Sequence, residues 1–197
     1  MRRIAITQRV EIIQDYDERR DALSQEWAEL AEACGFLPLF LPNRLSLVRW
    51  TLEDLRPDGV ILTGGNDLAS LGGDAPERDE MERFLIDWAA AERIPLLGVC
   101  RGAQLLLDHF GTPLQRVEGH VRVEHTLSNG DRVNSFHSWG TAECRPPLEA
   151  LARSEDGVVE ILRHRDCPWI QGILYHPERY YPLRTRDIAF IKEALAL

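Results

Sequence analysis

The sequence lacks any long apolar segment, and no run approaches the ~18 apolar residues that a membrane-spanning helix needs. It also lacks a signal-peptide segment at the amino terminus, where 4–7 has the pattern of a short strand. Cysteine is scarce, and the four cysteines show neither pairing nor metal-ligand spacing: Cys34, Cys100, Cys144 and Cys167. These absences predict a cytoplasmic protein with reduced thiols and no membrane partner.

Basic residues are outnumbered, with 23 Lys and Arg against 32 Asp and Glu, which gives a formal net charge of -9. A general nucleic-acid partner is therefore not expected, because proteins that bind nucleic acid usually carry a basic surface. Internal repeats, low-complexity tracts and linkers are also missing. We therefore expect residues 1–197 to form one domain.

What is present is an alternation of strand and helix patterns. Apolar runs predict strands at 4–7, 36–41, 59–62 and 96–99. Helical periodicity predicts helices at 19–34, 47–55, 104–110 and 185–195, with a further one opening at 78. This order predicts an α/β fold with a parallel sheet covered on both faces. The runs at 158–162 and 169–175 are expected to add antiparallel strands.

Cys100 lies between a predicted strand and a predicted helix. The apolar run Leu96–Val99 precedes it, and Gly98 and Gly102 flank it. A nucleophile on such a sharp turn has a strained backbone and needs small neighbours for close approach. The beginning of a helix also favours the thiolate over the thiol. We therefore predict that Cys100 is a nucleophile and not a buried structural cysteine.

Backbone N–H groups near this cysteine can form an oxyanion hole. The N–H of Arg101 directly follows the nucleophile. The segment Thr63–Leu68 follows the third predicted strand and contains a glycine pair. Ligands of open α/β sheets bind at the carboxyl ends of the strands. We therefore expect the second N–H donor to be Gly65 or Asn66, in preference to a plain glycine turn.

A histidine and a carboxylate two residues apart follow the last predicted strand. His176 and Glu178 point to the same side of an extended segment, so His176 can accept a proton from Cys100 while Glu178 orients the ring. His137 is the one alternative base that we retain. The remaining histidines in polar contexts are expected at the surface: His120, His125 and His164.

Together these motifs resemble the class I glutamine amidotransferase family, and within it the gamma-glutamyl hydrolase branch. The likeness covers nearly the whole chain and rests on 62–67, 78–79, 97–104, 133–137, 156–160 and 176–178. It implies a flavodoxin-like, doubly wound and mostly parallel sheet with helices on both faces. A few antiparallel strands are implied in the carboxy-terminal half, all within a single domain over 1–197.

The resemblance also implies a role for each matched residue. Cys100, His176 and Glu178 would form a catalytic triad, and the N–H groups of Gly65 and Arg101 would form the oxyanion hole. The implied substrate-binding residues are Asn66, Gln104, Ser135, Phe136 and His137. The implied reaction is hydrolysis of a gamma-glutamyl amide through a thioester, with release of L-glutamate and without a metal or cofactor.

The resemblance leaves open the leaving group of the amide, because members of the family differ in this group. The segment Ile4–Arg9 and the short chain resemble the members that hydrolyse gamma-glutamyl-CDP-amidate in capsule phosphoramidate synthesis, where Arg9 would face the diphosphate. Tyr175 departs from the branch, in which tryptophan is usual at this position. Three alternatives stay open: hydrolysis of gamma-glutamyl-GABA, a glutaminase subunit that delivers ammonia to a separate synthase, and a binding protein without turnover.

Overall fold

The computed structural model describes all 197 residues. The strands are β1 Arg3–Ile6, β2 Arg9–Ile13, β3 Glu18–Ala22, β4 Leu37–Phe40, β5 Gly59–Leu62, β6 Leu96–Val99, β7 Gln115–Arg116, β8 Val121–Thr126, β9 Arg132–Phe136, β10 Trp139–Gly140, β11 Leu148–Arg153, β12 Val159–His164 and β13 Ile170–Ile173. The helices are α1 Glu26–Cys34, α2 Leu45–Leu55, α3 Pro76–Glu92, α4 Arg101–His109 and α5 Thr185–Ala194. None of them is long and apolar enough to cross a membrane.

Seven strands form the central sheet in the order β11-β12-β13-β6-β5-β1-β4. The five strands from β13 to β4 are parallel, whereas β12 and β11 extend the sheet in antiparallel pairing. The parallel core has the strand order of flavodoxin-like doubly wound sheets. The predicted fold class is thus confirmed, and so is the antiparallel strand predicted over 158–162, which is β12. The expectation of an antiparallel strand over 169–175 is wrong, because β13 pairs in parallel with β6 and is the last parallel strand of the sheet.

Helices cover both faces of this sheet. Helices α1 and α5 pack together on one face, and α2, α3 and α4 pack on the other. Every residue of β5 and β6 is buried, as expected for parallel strands enclosed on both sides. In β5, Val60 and Leu62 contribute to the core under α3 and α4, whereas Ile61 contributes to the core under α1 and α5.

The predicted helix over 19–34 is wrong in its first part. Residues Glu18–Ala22 form strand β3, which pairs with β2 as an antiparallel hairpin, and helix α1 begins only at Glu26. The side chains of β3 are largely exposed charges. The hairpin is therefore formed by backbone pairing of β3 with β2, and Arg19 of β3 forms an ion pair with Glu77 on α3. A strand of exposed charges has no apolar alternation, so the apolar pattern could not reveal it.

Candidate active site

The carboxyl ends of three neighbouring strands meet at one edge of the sheet. Leu62 at the end of β5 is in register with Gly98 on β6, and Val99 at the end of β6 is in register with Ile173 on β13. The segments that follow these strands therefore emerge side by side. They carry the glycine pair after β5, Cys100 after β6 and His176 after β13. Ligands bind at this edge in open α/β sheets.

Cys100 occupies a strained turn between β6 and α4. Its backbone has φ 51° and ψ -104°, a conformation that residues with a Cβ rarely adopt. A Cβ at Gly98 would lie 2.7 Å from the Gly102 carbonyl carbon, and a Cβ at Gly102 would lie 2.3 Å from the Leu62 carbonyl oxygen. Both glycines are therefore required for the close packing of strand, turn and helix.

His176 lies between Cys100 and Glu178 in a buried environment. Its Nδ1 is 2.6 Å from Oε1 of Glu178. A Cβ at Gly64 would lie 2.9 Å from Cε1 of His176 and 3.5 Å from Cβ of Cys100, so the His176 ring and the Cys100 side chain lie side by side. Burial lowers the pKa of His176, but the neighbouring Cys100 and the Glu178 carboxylate outweigh it and raise the pKa. This arrangement favours a protonated His176 ring at neutral pH.

Asn134 on β9 fixes the position of His176, a role that its place in the sequence does not indicate. Its Nδ2 donates to the carbonyl of His176 at 2.8 Å, and its Oδ1 accepts from the N–H of His176 at 2.8 Å. The Asn134 backbone N–H donates to the Tyr180 hydroxyl at 2.6 Å. The partners are 42 residues apart, so no local sequence signal could have joined them.

A second residue outside the predicted site, Arg78 on α3, holds the glycine segment in place. Its fully buried guanidinium donates to the carbonyls of Thr63 at 2.7 Å and Gly64 at 3.2 Å, and also to the carbonyl of Gly65. Because Arg78 holds the carbonyl groups on one side of the Thr63–Gly65 segment, the N–H groups of this segment point to the other side. Arg78 was noted in the sequence only as part of a family motif.

The predicted oxyanion residues come from two segments, the loop after β5 and the beginning of α4. Gly65 has φ 87°, and its backbone passes beside Arg9, while Arg101 is the first residue of α4, where N–H groups have no partner within the helix. The Arg101 side chain is buried and ion-paired with Asp79 and Glu82. Arg101 can therefore reach a substrate through its backbone but not through its guanidinium.

A cavity of about 320 Å³ opens beside Cys100. Its lining includes Gly65, Asn66, Asp67, Cys100, Arg101, Gln104, Phe136, His137, Ser138 and Trp139. The structure thus brings the predicted Gln104, Phe136 and His137 together with Cys100. Gln104 donates from Nε2 to the Trp139 carbonyl at 2.9 Å, and the Phe136 ring meets the His176 ring edge-on at 5.6 Å between centroids.

Two predicted substrate-binding side chains have their polar atoms engaged by other parts of the protein. Ser135 is fully buried, and its Oγ donates to the His120 carbonyl at 2.7 Å. The Asn66 side chain pairs with both the N–H and the carbonyl of Val10, at 2.8 and 2.9 Å. Any contact of these two residues with a ligand is therefore left to the backbone.

The surroundings of His137 do not favour it as the base. Its Nδ1 is 3.0 Å from the Trp139 carbonyl and its Nε2 is 3.2 Å from Oε1 of Glu160, so both ring nitrogens are engaged away from Cys100. The expected surface positions of His120 and His164 are wrong, because both side chains are buried. The carboxylates of Asp156 and Glu160 lie beside the two ring nitrogens of His120 and compensate for its burial.

Arg9 begins strand β2 and packs against Gly65 on the other side of the glycine segment. A narrow cleft there is lined by Arg9, Trp27, Gly65, His176, Glu178 and Arg179, among others. Arg9 forms an ion pair with Glu11 at 2.6 Å, and the guanidinium of Arg179 stacks over the Phe136 ring at 4.5 Å. Two arginines therefore flank the buried His176–Glu178 pair.

Comparison with known proteins agrees with this geometry. Residues 4–130 and 109–178 match the model of the family named Peptidase C26. The chain belongs to the peptidase C26 family. The resemblance found in the sequence motifs is thereby confirmed at the level of the family.

Individual relatives of this peptidase C26 chain extend the comparison. The chain is 30% identical to the gamma-glutamyl-CDP-amidate hydrolase of Campylobacter jejuni subsp. jejuni, with 98% of each chain covered. It is 29% identical to the gamma-glutamyl-gamma-aminobutyrate hydrolase of Escherichia coli O157:H7, with 79% of this chain and 78% of that one covered.

A crystal structure of a glutamine amidotransferase from Thermotoga maritima superposes on this peptidase C26 chain with a TM-score of 0.67. The two are 20% identical, and the alignment covers 99% of this chain and 84% of the other. At this identity the likeness shows the fold alone, which agrees with the strand order described above.

Proposed function

We propose that this protein hydrolyses gamma-glutamyl amides and releases L-glutamate, with Cys100 as nucleophile, His176 as acid and base, and Glu178 as the residue that orients His176. The observation that carries the proposal is the position of buried His176, which is hydrogen-bonded to Glu178 and lies beside Cys100, a residue of the cavity wall. Membership of the peptidase C26 family supports the same chemistry.

The reaction proceeds in two steps. The Cys100 thiolate attacks the gamma-carbonyl carbon, and the negative charge that develops on the oxygen is accepted by the N–H groups of Gly65 and Arg101. His176 then donates its proton to the departing nitrogen, the C–N bond breaks, and a glutamyl thioester remains. Water next gives a proton to His176 and attacks the thioester, which releases glutamate and restores the thiolate.

The glutamyl group is proposed to bind in the cavity of about 320 Å³. Gln104 lies in its wall, and the backbone of Ser135–Phe136 runs beside it between the buried Asn134 and His137. The Phe136 ring covers the edge of His176, which limits access of water to the imidazolium. Asn66 and His137 contribute to the shape of the cavity.

For the leaving group we propose a nucleotide-linked amide, gamma-glutamyl-CDP-amidate, which would yield cytidine diphosphoramidate as the second product. Two observations support this choice. The Campylobacter jejuni relative of that name aligns over 98% of both chains. Arg9 and Arg179 flank the triad, and their cationic side chains suit a diphosphate.

Gamma-glutamyl-GABA is the second candidate substrate, since the Escherichia coli relative aligns over 79% of this chain. The third candidate function is that of a glutaminase subunit that delivers ammonia to a separate synthase. The deciding experiment incubates the purified protein alone with glutamine, gamma-glutamyl-GABA and gamma-glutamyl-CDP-amidate, and follows glutamate release beside the Cys100→Ala variant.

Preferential cleavage of one bulky amide identifies the leaving group. Cleavage of glutamine alone, or of nothing until other proteins are added, replaces the proposal with the glutaminase subunit. Turnover by Cys100→Ala at the wild-type rate contradicts the proposed mechanism altogether.

A further inference from the structure

Three buried side chains converge behind the wall of the substrate cavity and have no part in the proposed reaction. Nδ1 of His120 is 3.4 Å from Oε1 of Glu160, and Nε2 of His137 is 3.2 Å from the same oxygen. All three side chains have no exposed surface, and one ligand atom from each lies within 4.8 Å of the other two.

Neighbouring acceptors fix which nitrogen of each ring carries hydrogen. Nδ1 of His137 is 3.0 Å from the Trp139 carbonyl oxygen, which can only accept, so this nitrogen must carry the hydrogen. Nε2 of His120 is 2.9 Å from Oδ2 of Asp156 and must likewise donate. In the neutral rings, two lone pairs therefore point toward the Glu160 carboxylate.

Acceptors that face one another in a buried space repel unless a positive charge lies between them. Nδ1 of His120 and Oε2 of Glu160 are both buried without a hydrogen-bond partner. The cluster is thus incomplete as it stands. Either a metal ion or additional protons must complete it.

We propose that His120 Nδ1, His137 Nε2 and the Glu160 carboxylate bind one divalent transition-metal ion of the zinc type. Imidazole nitrogens and a carboxylate are ligands that zinc prefers. Zinc bonds of about 2.0–2.1 Å in a tetrahedron place neighbouring ligand atoms about 3.3–3.4 Å apart. The separations of 3.4 and 3.2 Å between the two histidine nitrogens and the Glu160 oxygen match this spacing, and the ligand atoms of all three residues lie within 4.8 Å of one another.

The outer contacts of both histidines also fit a metal site. Histidine ligands usually donate their second ring N–H to a carboxylate or a backbone carbonyl, which fixes the ring and raises the basicity of the ligand nitrogen. His120 has Asp156 in that position and His137 has the Trp139 carbonyl. The fourth coordination position is left to a water molecule.

Such an ion would brace the cavity and would take no part in the chemistry. The Trp139 carbonyl accepts hydrogen bonds from both His137 and Gln104, so a fixed His137 ring also fixes the segment that Gln104 contacts. The site would join β12 to the segments before β8 and after β9. We therefore expect an ion here to stabilise the fold and the substrate cavity together.

The test uses the Cys100→Ala protein, because the thiolate of the active site would itself bind zinc. After treatment with a chelator, the protein is titrated with zinc chloride by calorimetry, and Co²⁺ replaces zinc for visible absorption spectroscopy. We expect one equivalent to bind and the Co²⁺ spectrum to be that of a four-coordinate nitrogen and oxygen site.

Glu160→Gln should weaken zinc binding about 100-fold or more, and Asp156→Asn about 10- to 100-fold. Asp156 is half exposed, so its variant tests the site even where Glu160→Gln fails to fold. His109→Asn is the matched control, because His109 also contacts a carboxylate, that of Asp87, and its zinc affinity should not change.

Failure of the Cys100→Ala protein to bind zinc or Co²⁺, or equal binding by Asp156→Asn and the control, overturns the proposal. The same holds if NMR of the metal-free protein shows both rings doubly protonated at neutral pH and added zinc leaves their signals unchanged. None of these results affects the proposed amide hydrolysis, which is measured separately with wild-type protein.

Discussion

Asn134 and His176 hydrogen-bond to each other twice: the side chain of Asn134 donates to the carbonyl of His176 and accepts from its N–H, both at 2.8 Å. The side-chain amide of Asn134 thus forms the two hydrogen bonds that a neighbouring strand would form, at the point where the chain leaves β13. This contact sets the position of the His176 ring relative to Cys100, although Asn134 forms no hydrogen bond with Cys100 or Glu178.

Replacement of Asn134 by alanine tests this role. Asn134→Ala leaves a buried N–H and a buried carbonyl unpaired, so we expect a loss of about 2–4 kcal/mol in the free energy of unfolding. We also expect kcat to fall at least about tenfold with a smaller change in KM. Urea unfolding and steady-state kinetics measure both effects. Asn129→Ala, at an exposed asparagine, is the control, and equal kinetics of the two variants would contradict the positioning role.

Arg78 should influence the rate and not substrate affinity. Arg78→Lys keeps a positive charge near Glu82, which Arg78 contacts at 2.9 Å, but one ammonium cannot serve three consecutive carbonyls. A misplaced oxyanion donor typically costs about 10²–10³ in kcat, and we expect a loss in that range with KM nearly unchanged. The control is Arg83→Lys, in a partly exposed ion pair with Asp108. A rise in KM with kcat preserved would argue against the anchoring of the oxyanion segment.

Glu178 should control the pH dependence of the reaction. The pKa of His176 is raised, so its ring stays protonated above the ordinary value and loses the proton only as the pH rises through the raised pKa. We expect Glu178→Gln to reduce kcat at least about 100-fold and to move the alkaline fall of kcat/KM to lower pH. The rate of Cys100 alkylation by iodoacetamide, followed against pH, provides a second measurement. An alkaline limb that stays in place would mean that Glu178 does not sustain the charge on His176.

Parts of the site that are local in sequence could be predicted, and parts that depend on distant contacts could not. Strands β5 and β6 match the prediction at both ends, because a buried parallel strand is a continuous apolar run bounded by glycine, proline or a turn. His176 and Glu178 were found because they lie two residues apart. Arg78 and Asn134 act across 15 and 42 residues, respectively, and nothing near them in sequence indicates their partners.

The predicted surface position of His120 and the predicted helix over 19–34 are wrong for a similar reason. Burial of His120 depends on Asp156 and Glu160, which lie far along the chain, so its polar sequence neighbours suggested a surface position. The β2–β3 hairpin was assigned in part to a helix because its charged residues precede α1 without an apolar alternation. In both cases tertiary pairing overrode the local pattern.

Gly102 near the beginning of α4 and Gly111 beyond its end should differ in their tolerance of alanine. A Cβ at Gly102 would lie 2.3 Å from the Leu62 carbonyl oxygen, whereas Gly111 has φ 76° and open space around the Cβ position. We expect Gly111→Ala to cost about 1–2 kcal/mol through its backbone conformation alone. Gly102→Ala should cost about 3 kcal/mol or more, because backbone atoms must move apart. Urea unfolding of both variants tests the order, and equal losses would show that the elbow can relax.

Arg9 provides the means to separate the proposed leaving group from its alternatives. Its side chain is 40% exposed, and Glu11 competes with a diphosphate for its guanidinium. The contact of Arg9 with a diphosphate is therefore weaker than that of a buried arginine. We expect Arg9→Gln to raise KM for gamma-glutamyl-CDP-amidate about tenfold and to leave KM for gamma-glutamyl-GABA unchanged. Arg2→Ala is the control, since Arg2 lies in an exposed ion pair with Asp58 at the other end of β1. If both substrates lose affinity equally, Arg9 acts through its packing on Gly65 and does not select the leaving group. If neither changes, the diphosphate contact is absent and the case for a nucleotide-linked amide rests on the sequence relative alone.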